Sequence, residues 1–184
     1  ATTLQFAAAE AFGEANWAQL DKLTIGMPNP TGMQALLAGT EVTAHFTTPP
    51  YTYQELARPG IRRILSSYDV WGGKHTTFLA WATAGFRQQN PKVFEAVYAA
   101  MQEAARFIAD HKTEAVAIYL EVSREKSDPA ELRRMLDDPE VDLSTTPRKM
   151  MAFAAFKHKI GAIKRKPADW REMFFEEAQG LGGD

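Results

Sequence analysis

Apolar residues are spaced in two different ways along this chain. Up to Gly73 they fall in short runs punctuated by glycine and proline, and beyond it they recur at helical period over longer stretches. In the first regime Leu4–Phe12 is an alanine-rich run stopped by Gly13, as a helix end is. Leu23–Met27, closed by Pro28-Asn29-Pro30, predicts a strand. Thr31 caps a predicted helix over Gly32–Ala38, which stops at Gly39. Val42–Phe46 predicts a second strand, Pro49–Arg58 a second helix ended by Pro59-Gly60, and Ile61–Ser67 a third strand running into Tyr68-Asp69-Val70-Trp71-Gly72-Gly73. This β-α-β-α-β order with short connections predicts parallel pairing through right-handed crossovers.

In the second regime Thr76–Thr83 predicts one further strand, and the pattern then becomes helical. Asn90 caps and Pro91 opens a long helix with Val93, Phe94, Val97, Tyr98, Met101, Ala105 and Ile108 at helical period. Ala115–Val122 predicts a second helix, and Asp128-Pro129-Ala130-Glu131 has the spacing of a capping box that starts a third. Thr146-Pro147 opens a fourth with Met150, Phe153, Ala154, Ile160 and Ile163, and a last short helix lies around Trp170–Phe175. The tail Gly180-Leu181-Gly182-Gly183-Asp184 is expected to fray. The shift at Gly72-Gly73 divides the chain into a parallel α/β lobe, 1–73, and a crossover strand with C-terminal helices, 74–184.

Ligands of open parallel α/β sheets bind outside the carboxyl ends of the strands. Three segments occupy such ends here: Met27–Pro30 with Asn29, Thr47–Tyr51, and Tyr68–Lys74 with Asp69, Trp71, Gly72 and Gly73. Hydroxyls of Thr47, Thr48 and Tyr51, an aromatic plate at Trp71 and glycine backbone suit a small polar or anionic solute. Pro49 and Pro50 remove two early helix donors, so the His45-Phe46-Thr47-Thr48-Pro49-Pro50 corner is left with hydroxyls and the N–H groups of Tyr51 and Thr52. Thr2-Thr3, at the start of the first helix, reads as a plain N-cap or as an anion contact, and Trp71 reads equally as a core residue or a site residue.

Composition narrows the function classes. Net charge is −2 and no basic stripe interleaves with aromatics; Arg62-Arg63 and Lys164-Arg165-Lys166 are the dense basic spots, so nucleic acid is not an expected partner. The chain has no cysteine and four histidines, which exclude thiolate chemistry and give no metal-ligand spacing. No G-x-S-x-G, Walker loop or G-x-G-x-x-G is present. The expectation is a protein that is not an enzyme, with no cofactor and no metal.

The runs ALLAGTEVTAHFTTPPYTYQEL, ILSSYDVWGGKHTTF and PRKMMAFAAFKHKIGAIKRKPADWREMFF, in this order, resemble the C-terminal part of an ABC-transporter periplasmic solute-binding protein of the nitrate/sulfonate/taurine type. The resemblance implies a type II periplasmic-binding-protein-like α/β fold. It also implies a small anionic solute, nitrate- or sulfonate-like, passed to the importer's membrane permease outside the cytoplasmic membrane (periplasmic or membrane-anchored extracellular). Carried over by position, Thr2 and Thr3 match a hydroxyl-rich helix start that meets the anionic head, Thr47 and Thr48 match a strand-end turn facing the cleft, and Asp69–Gly73 match the crossover lining it. Trp71 is not a fixed feature of that pattern.

Members of that group carry a further half-lobe before the point where this chain starts. Its absence predicts uncovered apolar faces with Val97, Met101, Phe153 and Phe156, a tendency to homo-oligomerise, and weak or no solute binding by the isolated chain. Two alternatives share the fold: a thiamine-pyrimidine-synthase-like enzyme, disfavoured because that group uses a cysteine-rich iron motif, and a ligand-sensing regulatory domain, which needs a helix-turn-helix.

Overall fold

The computed structural model describes all 184 residues and contains ten α-helices, three short 3-10 turns and no β-ladder. It divides into two compact units, Ala1–Gly73 and Lys74–Asp184.

In the first unit α1 (Thr2–Phe12) starts with Ala1 at its N-cap and stops at Gly13, whose φ of 90° a side chain disfavours. Two 3-10 turns follow, Glu14–Asn16 and Asp21–Leu23, the second tied back to α1 by Gln5 Nε2 donating to Asp21 Oδ2 at 2.9 Å. The next helix, α2 (Asn29–Ala38), begins earlier than Thr31 predicts. Pro30 lies in its first turn, where the missing N–H costs nothing, and left-handed Gly39 ends it. Helix α3 (Tyr51–Leu56) begins later than expected, since a proline at 50 biases Pro49 away from helical backbone; the Pro49–Pro50 peptide is cis. The last helix of the unit, α4 (Ser67–Trp71), is capped by Ser66 Oγ, which accepts from Tyr68 N at 3.2 Å. Gly72 at φ 68° ends it, with Gly73 N donating to Tyr68 O at 2.7 Å, the six-to-one bond of a Schellman end.

The Phe6 and Trp71 rings meet at a 37° tilt with centroids 4.5 Å apart, packing α1 on α4. Ala8 and Trp71 are buried there.

The expected parallel sheet is not formed. Residues 24–28, 42–46, 61–66 and 74–83 are extended or irregular, with no ladder between them. A parallel return needs a crossover of about a dozen residues or more; the segments between these runs are long enough for one, yet 24–28, 42–46 and 61–66 run unpaired. Their apolar side chains stay in solvent, Ile25 at 74 % and Ile64 at 72 % exposure.

The second unit is helical: α5 (Ala84–Gln89), α6 (Pro91–Asp110), α7 (Lys112–Ser123), α8 (Pro129–Asp137), α9 (Met150–Lys159), a 3-10 turn at Trp170–Met173 and α10 (Glu176–Gln179). Thr83, expected as the end of a strand, instead caps α5 by accepting from Phe86 N at 3.0 Å. Asp128 caps α8 through Ala130 N at 2.8 Å, and Pro91 opens α6 as its position predicts. Helices α5 to α8 pack each on the next. Val116 and Leu132 are buried, as are Met150, Ala154, Phe156 and Trp170.

Two expectations about this unit are corrected. Phe156 is buried and Phe153 lies against the His75 ring at 5.4 Å, so the α9 face is covered, whereas Val97 and Met101 of α6 are exposed. The tail is not frayed: Lys149 N donates to Asp184 Oδ1 and Met150 N to Asp184 O, both at 2.8 Å. An acidic residue thus meets the start of α9, which its orphan N–H groups and the helix dipole favour.

Candidate functional site

The corner between α2 and α3 carries the strongest site geometry. Asn29, the first residue of α2, donates from Nδ2 to Thr48 Oγ1 at 3.4 Å, joining the first two of the three predicted segments. Next to Thr48, the Thr47 hydroxyl is buried and makes no hydrogen bond within the chain. A buried hydroxyl without a partner costs about 1–3 kcal/mol, so this atom is placed where a bound acceptor or donor is rewarded. Tyr51 is the first residue of α3 and half-buried. The backbone contributes less than expected, because Thr52 N is already committed to Thr48 O at 3.3 Å.

The remaining predicted residues sit differently. Trp71 Nε1 donates to Thr3 Oγ1 at 3.1 Å, and the indole is 5 % exposed. Trp71 is thus core between α1 and α4 and not an aromatic plate open to solvent. Thr2 and Thr3 lie inside the first turn of α1, with Ala1 in the cap position, so neither is the N-cap itself. Asp69 and Gly72 are exposed, and Gly73 is half-buried. Asp69 to Gly73 form the end of a helix and not a crossover loop, because Ser66 caps and Gly72 terminates α4. The structure therefore joins Asn29 with Thr48, and Thr3 with Trp71.

Sequence reasoning missed His45 and Glu55. His45 Nδ1 lies 2.6 Å from Glu55 Oε1 with both side chains buried. A buried carboxylate needs a partner, and His45 supplies it across the Pro-Pro corner. A histidine two residues before the threonines, with a carboxylate on the apolar side of the next short helix, was the available signal.

In the second unit charge is matched internally. A surface hollow of about 470 Å³ beside His111, Lys112 and Arg133 carries two cations that both meet Asp137 Oδ1, at 2.9 and 3.1 Å. Arg87 donates to Glu177 Oε1 from Nε at 3.0 Å and from an Nη at 2.8 Å, and it lies over the Phe94 and Phe175 rings. Those bonds hold the Glu177 carboxyl below the usual carboxylate range. His75 is pushed below its ordinary 6.5 by burial, opposed by the hydrogen bond with Thr76 O.

Residues 8–123 match the NMT1-like family, which is more than half of the chain and includes the whole α2–α3 corner. No curated protein and no solved structure matches it. The chain belongs to the NMT1-like family. This membership agrees with the resemblance to nitrate/sulfonate/taurine-type solute-binding proteins, and with a solute-binding role.

Proposed function

We propose that this chain binds a small anionic solute, of nitrate or sulfonate character, as the substrate-binding component of an ABC importer. It performs no chemistry on the solute and passes it to the membrane permease from the periplasmic or extracellular side. Family membership over 8–123 supports the class. The observation that carries the location is the buried Thr47 hydroxyl beside the Asn29–Thr48 pair. Asn29, Thr47, Thr48 and Tyr51 offer an anion neutral donors only. At about 1 kcal/mol per net hydrogen bond, three or four such contacts correspond to a Kd on the order of a millimolar. The test is a two-dimensional NMR titration of the chain with sodium nitrate, methanesulfonate and taurine in separate series. Saturable shifts at Asn29, Thr47 and Thr48 support the reading; shifts elsewhere only, or none, refute it.

A further inference from the structure

Gly32 is buried in the first turns of α2, and a Cβ built on it would overlap Nε2, Cε1 and Cδ2 of the His45 ring. The imidazole therefore lies directly on the backbone of α2, which only a glycine permits. The opposite side of the ring is fixed as well: Nδ1 meets Glu55 Oε1 at 2.6 Å, and Glu55 belongs to α3. Gly32 is one turn from Asn29, Glu55 is one turn from Tyr51, and His45 precedes Thr47 by two residues. One ring thus spans the two helices whose starts supply the candidate site, and it belongs to the segment that supplies the threonines.

We propose that Gly32, His45 and Glu55 form a clasp that positions the anion-binding corner. None of the three touches the solute. The clasp sets the approach of α2 to α3, and through it the Asn29–Thr48 contact and the seat of Thr47. A hydrogen bond of 2.6 Å between two buried side chains fixes the ring's orientation toward α3. Neutral donors need such preorganisation, because their few hydrogen bonds offset little ordering cost. The inference rests on the corner being the solute site, and its test is read in two ways for that reason.

The experiment compares the full chain with Glu55→Ala, Glu55→Gln, Gly32→Ala, His45→Ala and the Gly32→Ala/His45→Ala double variant, with helicity checked by circular dichroism. The first readout is the Kd for methanesulfonate from NMR titration. The second, independent of any solute, is the position of the Asn29 side-chain amide resonances. Glu55→Ala and Gly32→Ala are expected to weaken binding about tenfold and to move the Asn29 resonances. Glu55→Gln, which keeps an acceptor for Nδ1–H, is expected to stay within about threefold of the parent. The double variant is expected to bind no worse than His45→Ala, because the added methyl then has no ring to displace. A Kd within twofold and unmoved Asn29 resonances in both Glu55→Ala and Gly32→Ala would overturn the clasp, as would a Gly32→Ala effect equally large without His45. If the parent binds no anion, the functional reading fails and the Asn29 resonances alone decide the clasp: moved supports it, unmoved overturns it.

Discussion

The indole N–H of Trp71 donates to the Thr3 hydroxyl at 3.1 Å, closing the first unit from its second helical residue to its second-last position before Gly73. The same indole packs at a tilt against Phe6. A residue that reads in the sequence equally as core or as cleft lining is therefore a core residue of its unit. Trp71→Ala should destabilise the unit by about 3–5 kcal/mol, as large-to-small aromatic truncations do. Thr3→Val should cost about 1 kcal/mol, the lost acceptor of one hydrogen bond. Urea denaturation followed by circular dichroism measures both. A Trp71→Ala change under 1 kcal/mol would place the indole outside the core.

Arg124 ends α7 in a left-handed conformation, φ 58° and ψ 20°, with its N–H donating to Leu120 O. The conformation suits glycine, and a side chain there opposes it. Arg124→Gly should stabilise the second unit by about 0.5–1 kcal/mol, an outcome read as a raised midpoint in thermal unfolding.

His75 gives the second unit a pH dependence. Its folded pKa lies below 6.5, chiefly through burial, so between that lower value and 6.5 the unfolded chain binds the proton and the folded one does not. Its contribution is complete above the unfolded value and declines as pH falls through 6.5 toward the folded value. Denaturation midpoints of the parent should drop over this interval more steeply than those of His75→Phe, which keeps a ring against Phe153. Parallel curves for the two proteins would show that His75 does not titrate abnormally.

Helices were legible where punctuation is chemical. Gly13, Gly39, Asn90-Pro91 and Asp128-Pro129 mark boundaries because positive φ, a missing donor and a capping carboxylate act within a few residues. Strands were not legible from the same text. A β-branched or apolar run such as Ile61–Ser67 records a preference for extended backbone, and 61–66 stay outside any helix while Ser67 opens α4, but a ladder also needs a neighbour at register. Nothing within a single run specifies that neighbour. The site was legible in part for the same reason. Asn29 and Thr48 meet because Asn29 begins α2 and Thr48 stands just ahead of the proline turn into α3, both marked by prolines in the sequence; His45 and Glu55 meet through the turn between them, which sequence does not mark. Trp71 stays open between core and site in the sequence, since an aromatic before two glycines reads alike in a loop and at a helix end.

The corner itself makes the sharpest mutational prediction. Thr47→Val removes a buried hydroxyl that has no partner in the chain, so stability should stay level or rise by about 1 kcal/mol. Thr48→Val, which breaks the Asn29 contact, should cost about 0.5–1 kcal/mol. The two neighbours thus differ in sign in a thermal-unfolding comparison, and both should weaken anion binding. Equal losses of stability would mean that the Thr47 hydroxyl is satisfied in the fold.

The most direct measurement is the titration of the parent chain and Thr47→Val with methanesulfonate, nitrate and taurine, followed at the Thr47, Thr48 and Asn29 resonances. One-to-one saturation by at least one anion is predicted, with Kd on the order of a millimolar and a roughly fivefold to tenfold loss in Thr47→Val for one hydrogen bond. Flat resonances for all three anions, or an affinity indifferent to position 47, would contradict the assignment of this corner as the place where the chain holds its solute.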